Sequence, residues 1–128
     1  MSSKLNGTGV TFSDSTTMSS GQQAAKAWVN FVGSSAAING SFNVSSITRN
    51  AAGSYVVNFT TAMANANYAV ATTSTLASGP TLCSTSAFCV AGTYTAPTTT
   101  SFTLGVQTPI GGSGNDPTAP VVAIICGS

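Results

Sequence analysis

Apolar and polar positions alternate most clearly over residues 42–61. Phe42 and Val44 fall on one side of a first arm, and Tyr55, Val57 and Phe59 on one side of a second. Side chains two apart on a strand point the same way, so each arm has an apolar face and a Ser/Thr/Asn face. Between the arms, Arg49-Asn50-Ala51-Ala52-Gly53-Ser54 supplies turn residues. Gly53 takes positive φ without steric cost, which suits a loop closing through a bulge. The pattern predicts a β-hairpin here.

The rest of the chain reads as further short strands. Residues 9–12 and 16–18 predict a small hairpin around Ser13-Asp14-Ser15, preceded by a loose or partner-bound lead over residues 1–8. A hairpin this small needs something to pack on. Residues 22–26 have the composition of a single helical turn, too short to hold alone. Residues 26–32 predict a strand with one strongly buried side, with Trp28 expected in the core. A short strand is expected over 36–38, ending before Asn39-Gly40. Residues 68–75 predict a strand with Tyr68 and Val70 inward, and residues 87–90 another, with a possible short one at 93–95. Phe102, Leu104 and Val106 mark the inner side of 101–107. Residues 121–126 are apolar on both sides, as in a strand lying between two layers or covered by another chain. Segments 77–86 and 109–120 read as loops, with 111–117 the most flexible by composition. Strands at this spacing predict an all-β fold, an antiparallel β-sandwich or small jelly-roll-like domain. A short extended N-terminal segment with the small hairpin, residues 1–25, would precede a sandwich domain over 26–128.

Composition narrows the function. The 128 residues bound one domain, in which folding removes roughly two-thirds of the unfolded chain's surface. Lys4, Lys26 and Arg49 stand against Asp14 and Asp116, a net charge of +1. Nucleic-acid binding needs clustered Lys or Arg, so no nucleic-acid partner is expected. No stretch is long and apolar enough to enter a membrane as a helix. Met1-Ser2-Ser3-Lys4 does not lead into the apolar core of a signal peptide, so synthesis in a cytoplasm is expected. A surface with few charges has little repulsion to keep monomers apart, which hints at assembly.

The chain has no His and no Glu, and its two Asp residues are far apart in sequence. General acid–base chemistry needs a titratable group with a partner in reach. A cysteine nucleophile would have no His to activate it. The expectation is a protein that is not an enzyme and has no catalytic residue, cofactor or metal. Cys83, Cys89 and Cys126 lack zinc spacing and are expected as buried free thiols, with a Cys83–Cys89 disulfide as the alternative. Recognition is expected on the loops, since loops on a rigid scaffold commonly carry it. The candidates are Ser78, Gly79, Thr81, Ser84, Ser113, Asn115 and Asp116. Leu5, Val10 and Phe12 are the candidates for attachment through the N-terminal segment.

Three runs carry a resemblance: Lys26-Ala27-Trp28-Val29-Asn30-Phe31, then Ser41-Phe42-Asn43-Val44-Ser45-Ser46-Ile47-Thr48, then Tyr55 to Met63 with Asn67-Tyr68-Ala69-Val70. Together they resemble the carboxy-terminal module of tail-fibre and related appendage proteins of tailed bacteriophages, especially those of cyanobacteria and other aquatic hosts. Gly9 to Thr17 is similar to the stretch that commonly leads into that module. The resemblance covers residues 9–70, and the chain after residue 76 matches no pattern of the family. It implies a β-rich virion protein, usually a homotrimer, that meets the host surface at its distal face. The family is not defined by catalytic residues, so none carries over. Most such modules end a much longer fibre, whereas here residues 1–25 alone precede it. The expectation is therefore a short fibre, a tip subunit docked on another virion protein, or a capsid decoration or tail-assembly protein. Its expected partners are its own copies, another virion protein, and a host surface glycan or protein.

Overall fold

The computed structural model describes residues 4–6, 9–11, 13, 15, 17–18, 25–74, 84–90, 93–107, 116–117 and 119–127. Among them there is no helix. Strands β1 (Lys4–Asn6), β2 (Gly9–Thr11) and β3 (Thr17–Met18) form an antiparallel sheet in that order. The small hairpin is present as β2 and β3. The lead before it is not loose throughout, because β1 pairs with β2 and sets Leu5 opposite Val10. Phe12 lies outside the described residues.

The body is an antiparallel sandwich. One sheet, here the first, has the order β5-β4-β13-β8, from β4 (Ala25–Val32), β5 (Ala37–Phe42), β8 (Ala69–Ser74) and β13 (Pro120–Cys126). The second has the order β6-β7-β12-β9, from β6 (Val44–Ala51), β7 (Ser54–Phe59), β9 (Ser84–Ala87) and β12 (Ser101–Gln107). A two-stranded ribbon joins β10 (Cys89–Val90) to β11 (Thr93–Tyr94). The expected hairpin is β6–β7, closed at Ala52-Gly53 with Gly53 at φ 72° and a register shift between Arg49 and Ala51.

Alternation decides what lies between the sheets. Val29 and Phe31 of β4 face inward beside Val121 and Ala123 of β13, and Tyr55 and Val57 of β7 beside Leu104 and Phe102 of β12. Phe31 meets Tyr55 edge to face across the sandwich, centroids 5.2 Å apart. A second aromatic group joins Phe59, Tyr68, Phe88 and Phe102. Each such pair adds about 0.5–1.5 kcal/mol beyond the area it buries.

Phe42 and Val44 do not share a side. Phe42 ends β5 in the first sheet and is 55% exposed, while Val44 starts β6 in the second and is buried. Asn43 stands between them at φ 56°, a left-handed conformation that Asn tolerates better than most residues. That single residue turns the chain from one sheet to the other. Its amide donates to the Lys26 and Thr61 carbonyls (3.3 and 3.1 Å) and accepts from the Thr61 N–H (2.7 Å).

Trp28 is likewise not in the core, being 40% exposed. β4 can bury either Ala27, Val29 and Phe31 or the set containing Lys26, Trp28 and Asn30. The second choice would strip a charge and an amide of water, which costs more than one indole gains.

Three further expectations are corrected. Ala25 and Lys26 lie in β4, not in a helical turn. β5 runs through Asn39 and Gly40 rather than stopping before them. The stretch read as a loop to residue 86 and a strand over 87–90 divides differently: β9 begins at Ser84, and Phe88 at φ 64° separates it from β10. A bulky residue is rarely found there, and the strain costs on the order of 1–3 kcal/mol. Ring contacts with Tyr68 and Phe102 offset it, as do Phe88 N–H to Thr103 O (2.7 Å) and Thr95 N–H to Phe88 O (2.6 Å). The break folds β10 over Gly105, where a β-carbon would collide with the Cys89 carbonyl oxygen and meet Val90 Cα at 3.3 Å.

Gly105→Ala should therefore lower unfolding stability by about 1–3 kcal/mol in urea titration, since the obstructing atoms are backbone. Burial pushes the Tyr68 hydroxyl up to about 12, while it donates to Thr98 O (2.8 Å). The folded state thus holds this proton more tightly than the unfolded chain, whose tyrosine ionises near 10. That share of stability is complete below pH 10 and is lost as pH rises towards 12. Alkaline unfolding of Tyr68→Phe, followed by circular dichroism, should lack it.

Candidate functional site

The described loop candidates are engaged within the fold. Ser84 pairs with Gln107 at the start of β9. Asp116 is held at one end of the sandwich. Its Oδ2 accepts from Arg49 Nε (2.9 Å) and Nη2 (2.5 Å), and its Oδ1 from Tyr55 Oη (2.5 Å) and Gly53 N–H (3.0 Å). Tyr55 Oη also lies 3.1 Å from the Gly33 carbonyl oxygen. Next to it, the Pro117 carbonyl accepts from Ser34 N–H at 3.0 Å. Gly33 lies so close to Pro117 and Tyr55 that a β-carbon would stand 2.6 Å from Pro117 Cδ. Asp116 and Pro117 therefore tie the approach to β13 to the β4–β5 turn and to the β6–β7 turn. Ser78, Gly79, Thr81, Ser113, Asn115 and Cys83 lie outside the described residues.

This carboxylate is structural in character. The hydrogen bonds from Arg49, reinforced by those from Tyr55 and Gly53, outweigh the cost of partial burial and hold it at about 2. Ionised and with both oxygens occupied, it is a poor proton acceptor near neutrality. Among the described residues no three Cys, Asp or Glu side chains gather as a metal site would require. Cys89 and Cys126 are free thiols, half-buried on β10 and β13.

The distinctive surface is not a loop but the outer face of the first sheet. Trp28 lies opposite Phe42 on β5 and opposite Ile124 on β13, and Ile124 lies opposite Ala71 on β8. Cross-strand partners share a face, so these four residues form a row running across all four strands. Phe42, Trp28 and Ile124 are 55%, 40% and 44% exposed. The next row holds Gly40, Asn30, Val122 and Thr73. The second sheet's outer face carries a polar cluster over β6 and β7, where Asn58 Nδ2 donates to Ser46 Oγ and Thr48 Oγ1, both at 3.1 Å, while Val56 is half-buried beside it and β10 lies over Gly105. Single exposed apolar residues are ordinary, but three in a contiguous row on one sheet face make that face the candidate contact surface. A sequence signal existed: Ile124 sits among five apolar neighbours in β13, and alternation sends every second one outward.

No protein family, curated protein or solved structure matches the chain.

Asp116→Ala should cost about 1–3 kcal/mol in chemical denaturation, because it strands the Gly53 N–H and removes the ion-pair partner of Arg49. Because the folded-state pKa is depressed, the carboxylate's contribution is present above the unfolded value near 4 and is lost as pH falls towards 2. An Asp116→Asn variant should show a flatter decline in melting temperature over that interval.

Proposed function

We propose that the chain is a tail-fibre or receptor-binding protein of a tailed bacteriophage, which attaches the particle to the host cell surface and performs no catalysis itself. The observation that carries the reading is the row Phe42–Trp28–Ile124 on a sheet face whose only charged residue is Lys26. Such a surface suits contact rather than chemistry. The resemblance of residues 9–70 to appendage modules supports it, as does a chain without His or Glu. In this reading the protein is a homotrimer in the virion, made in the host cytoplasm. The N-terminal segment with Leu5 and Val10 joins it to another virion protein. Several copies would give avidity beyond any single weak site.

The second reading is a structural virion subunit, such as a capsid decoration or tail-assembly protein. It draws on Ile124 and Val122, which β13 turns outward and which a neighbouring subunit would cover.

Light scattering after size exclusion should give three times the 12.6 kDa chain mass, and a monomer at all concentrations would sink the trimer. Fluorescently labelled protein should bind host cells saturably and compete with particle adsorption. Antibody labelling confined to the capsid, with no binding to cells, would replace the adhesion reading with the structural one.

A further inference from the structure

The outer face of the first sheet combines an exposed ring with polar groups that have bonds left to make. Trp28 leans from β4 towards β5: a β-carbon on Gly40 would meet its Cη2 and Cζ3 at 3.4 Å. The rim of the indole thus borders the backbone at Gly40 at ordinary contact distance, with two-fifths of Trp28's surface in solvent. Beside it, Asn39 Nδ2 donates to Asn30 Oδ1 at 3.0 Å. That bond fixes both amides, and among the described residues the two Asn30 Nδ2 hydrogens and the Asn39 Oδ1 acceptor have no further partner. A donor and an acceptor held side by side match two adjacent hydroxyls, each of which can give and take a hydrogen bond.

We propose that this face is a saccharide-binding site, in which the exposed indole of Trp28 packs against the C–H face of a neutral pyranose ring and the Asn30–Asn39 pair takes its vicinal hydroxyls. Charge favours this ligand class. Apart from Lys26, the strands of the sheet carry no charged residue, so an anionic or cationic ligand would find little to pair with. Phe42 and Ile124 extend the surface to either side of Trp28, and the row spans two interstrand spacings, roughly 10 Å, enough for two linked rings. A second copy of the chain is the less favoured occupant, because burying this face in a dimer would enclose the unengaged amide groups without the hydroxyls they fit. The proposal takes its setting from the adhesion reading above, but moves recognition from the loops to the sheet.

Trp28 is the only tryptophan, so its fluorescence reports the site directly. Titration of the intact protein with cellotetraose and with lactose should give a saturable emission change, half-complete on the order of 1 mM, with at least one of them. Sorbitol, which has hydroxyls but no ring face, should give none. Asn30→Ala combined with Asn39→Ala keeps the reporter and should weaken the response about tenfold. An equal response to sorbitol, or no saturable response to either sugar, overturns the proposal. So does an emission change that follows protein concentration alone, together with a lower native mass in Trp28→Ala, which would make the face a contact between copies. If a folded Trp28→Ala protein still attaches to host cells, the saccharide site falls while adhesion stands. If sugar binds but cells do not, the adhesion reading falls and the site stands.

Discussion

At Asn43 the chain leaves one sheet and enters the other with no intervening loop. The left-handed backbone reverses which side of the strand faces the core, so Phe42 emerges into solvent while Val44 is buried. The amide holds the corner to both layers, through the Lys26 carbonyl on β4 and the Thr61 backbone beyond β7. Much else rests on this corner. It sets β5 and β6 at the same side of the sandwich, it aligns Phe31 with Tyr55, and it places the one aromatic of the 42–61 segment that is not buried next to Trp28.

The two outer faces have been built to different ends. On the second sheet, Asn58, Ser46 and Thr48 bond across β6 and β7, satisfying one another in a surface that water covers readily. On the first, Phe42, Trp28 and Ile124 interrupt such a surface with apolar area. Asp116, by contrast, acts inward. Four donors hold it, and with Pro117 it fixes the entry to β13, the strand that carries Ile124 into the row.

Much of the fold was legible in the sequence because strand alternation was clean where it mattered. The hairpin of β6 and β7, the inward set on β12 and the all-β class all follow from period-two patterns and turn residues. The errors share a cause. At Trp28 the size of the indole argues for the core, but Lys26 and Asn30, two residues away on either side, show which face of β4 must stay wet. At Asn43 and Phe88 the backbone takes a left-handed turn that no glycine announces, and alternation read straight through such a residue assigns everything beyond it to the wrong side. Asp116 reads in sequence as a loop residue open to recognition because its partners, Arg49 and Tyr55, are more than sixty positions away. Contacts at that separation leave no local trace. The apolar row was hidden for the same reason, since its members come from four strands scattered along the chain.

Both ends of the segment between β12 and β13 are anchored at one residue. Gly53 accepts from the Val106 N–H through its carbonyl (2.8 Å) and donates its own N–H to Asp116 (3.0 Å). One turn therefore fixes both where β12 ends in the second sheet and where the chain is aligned to enter β13 in the first, so the two layers are indexed to each other through Gly53.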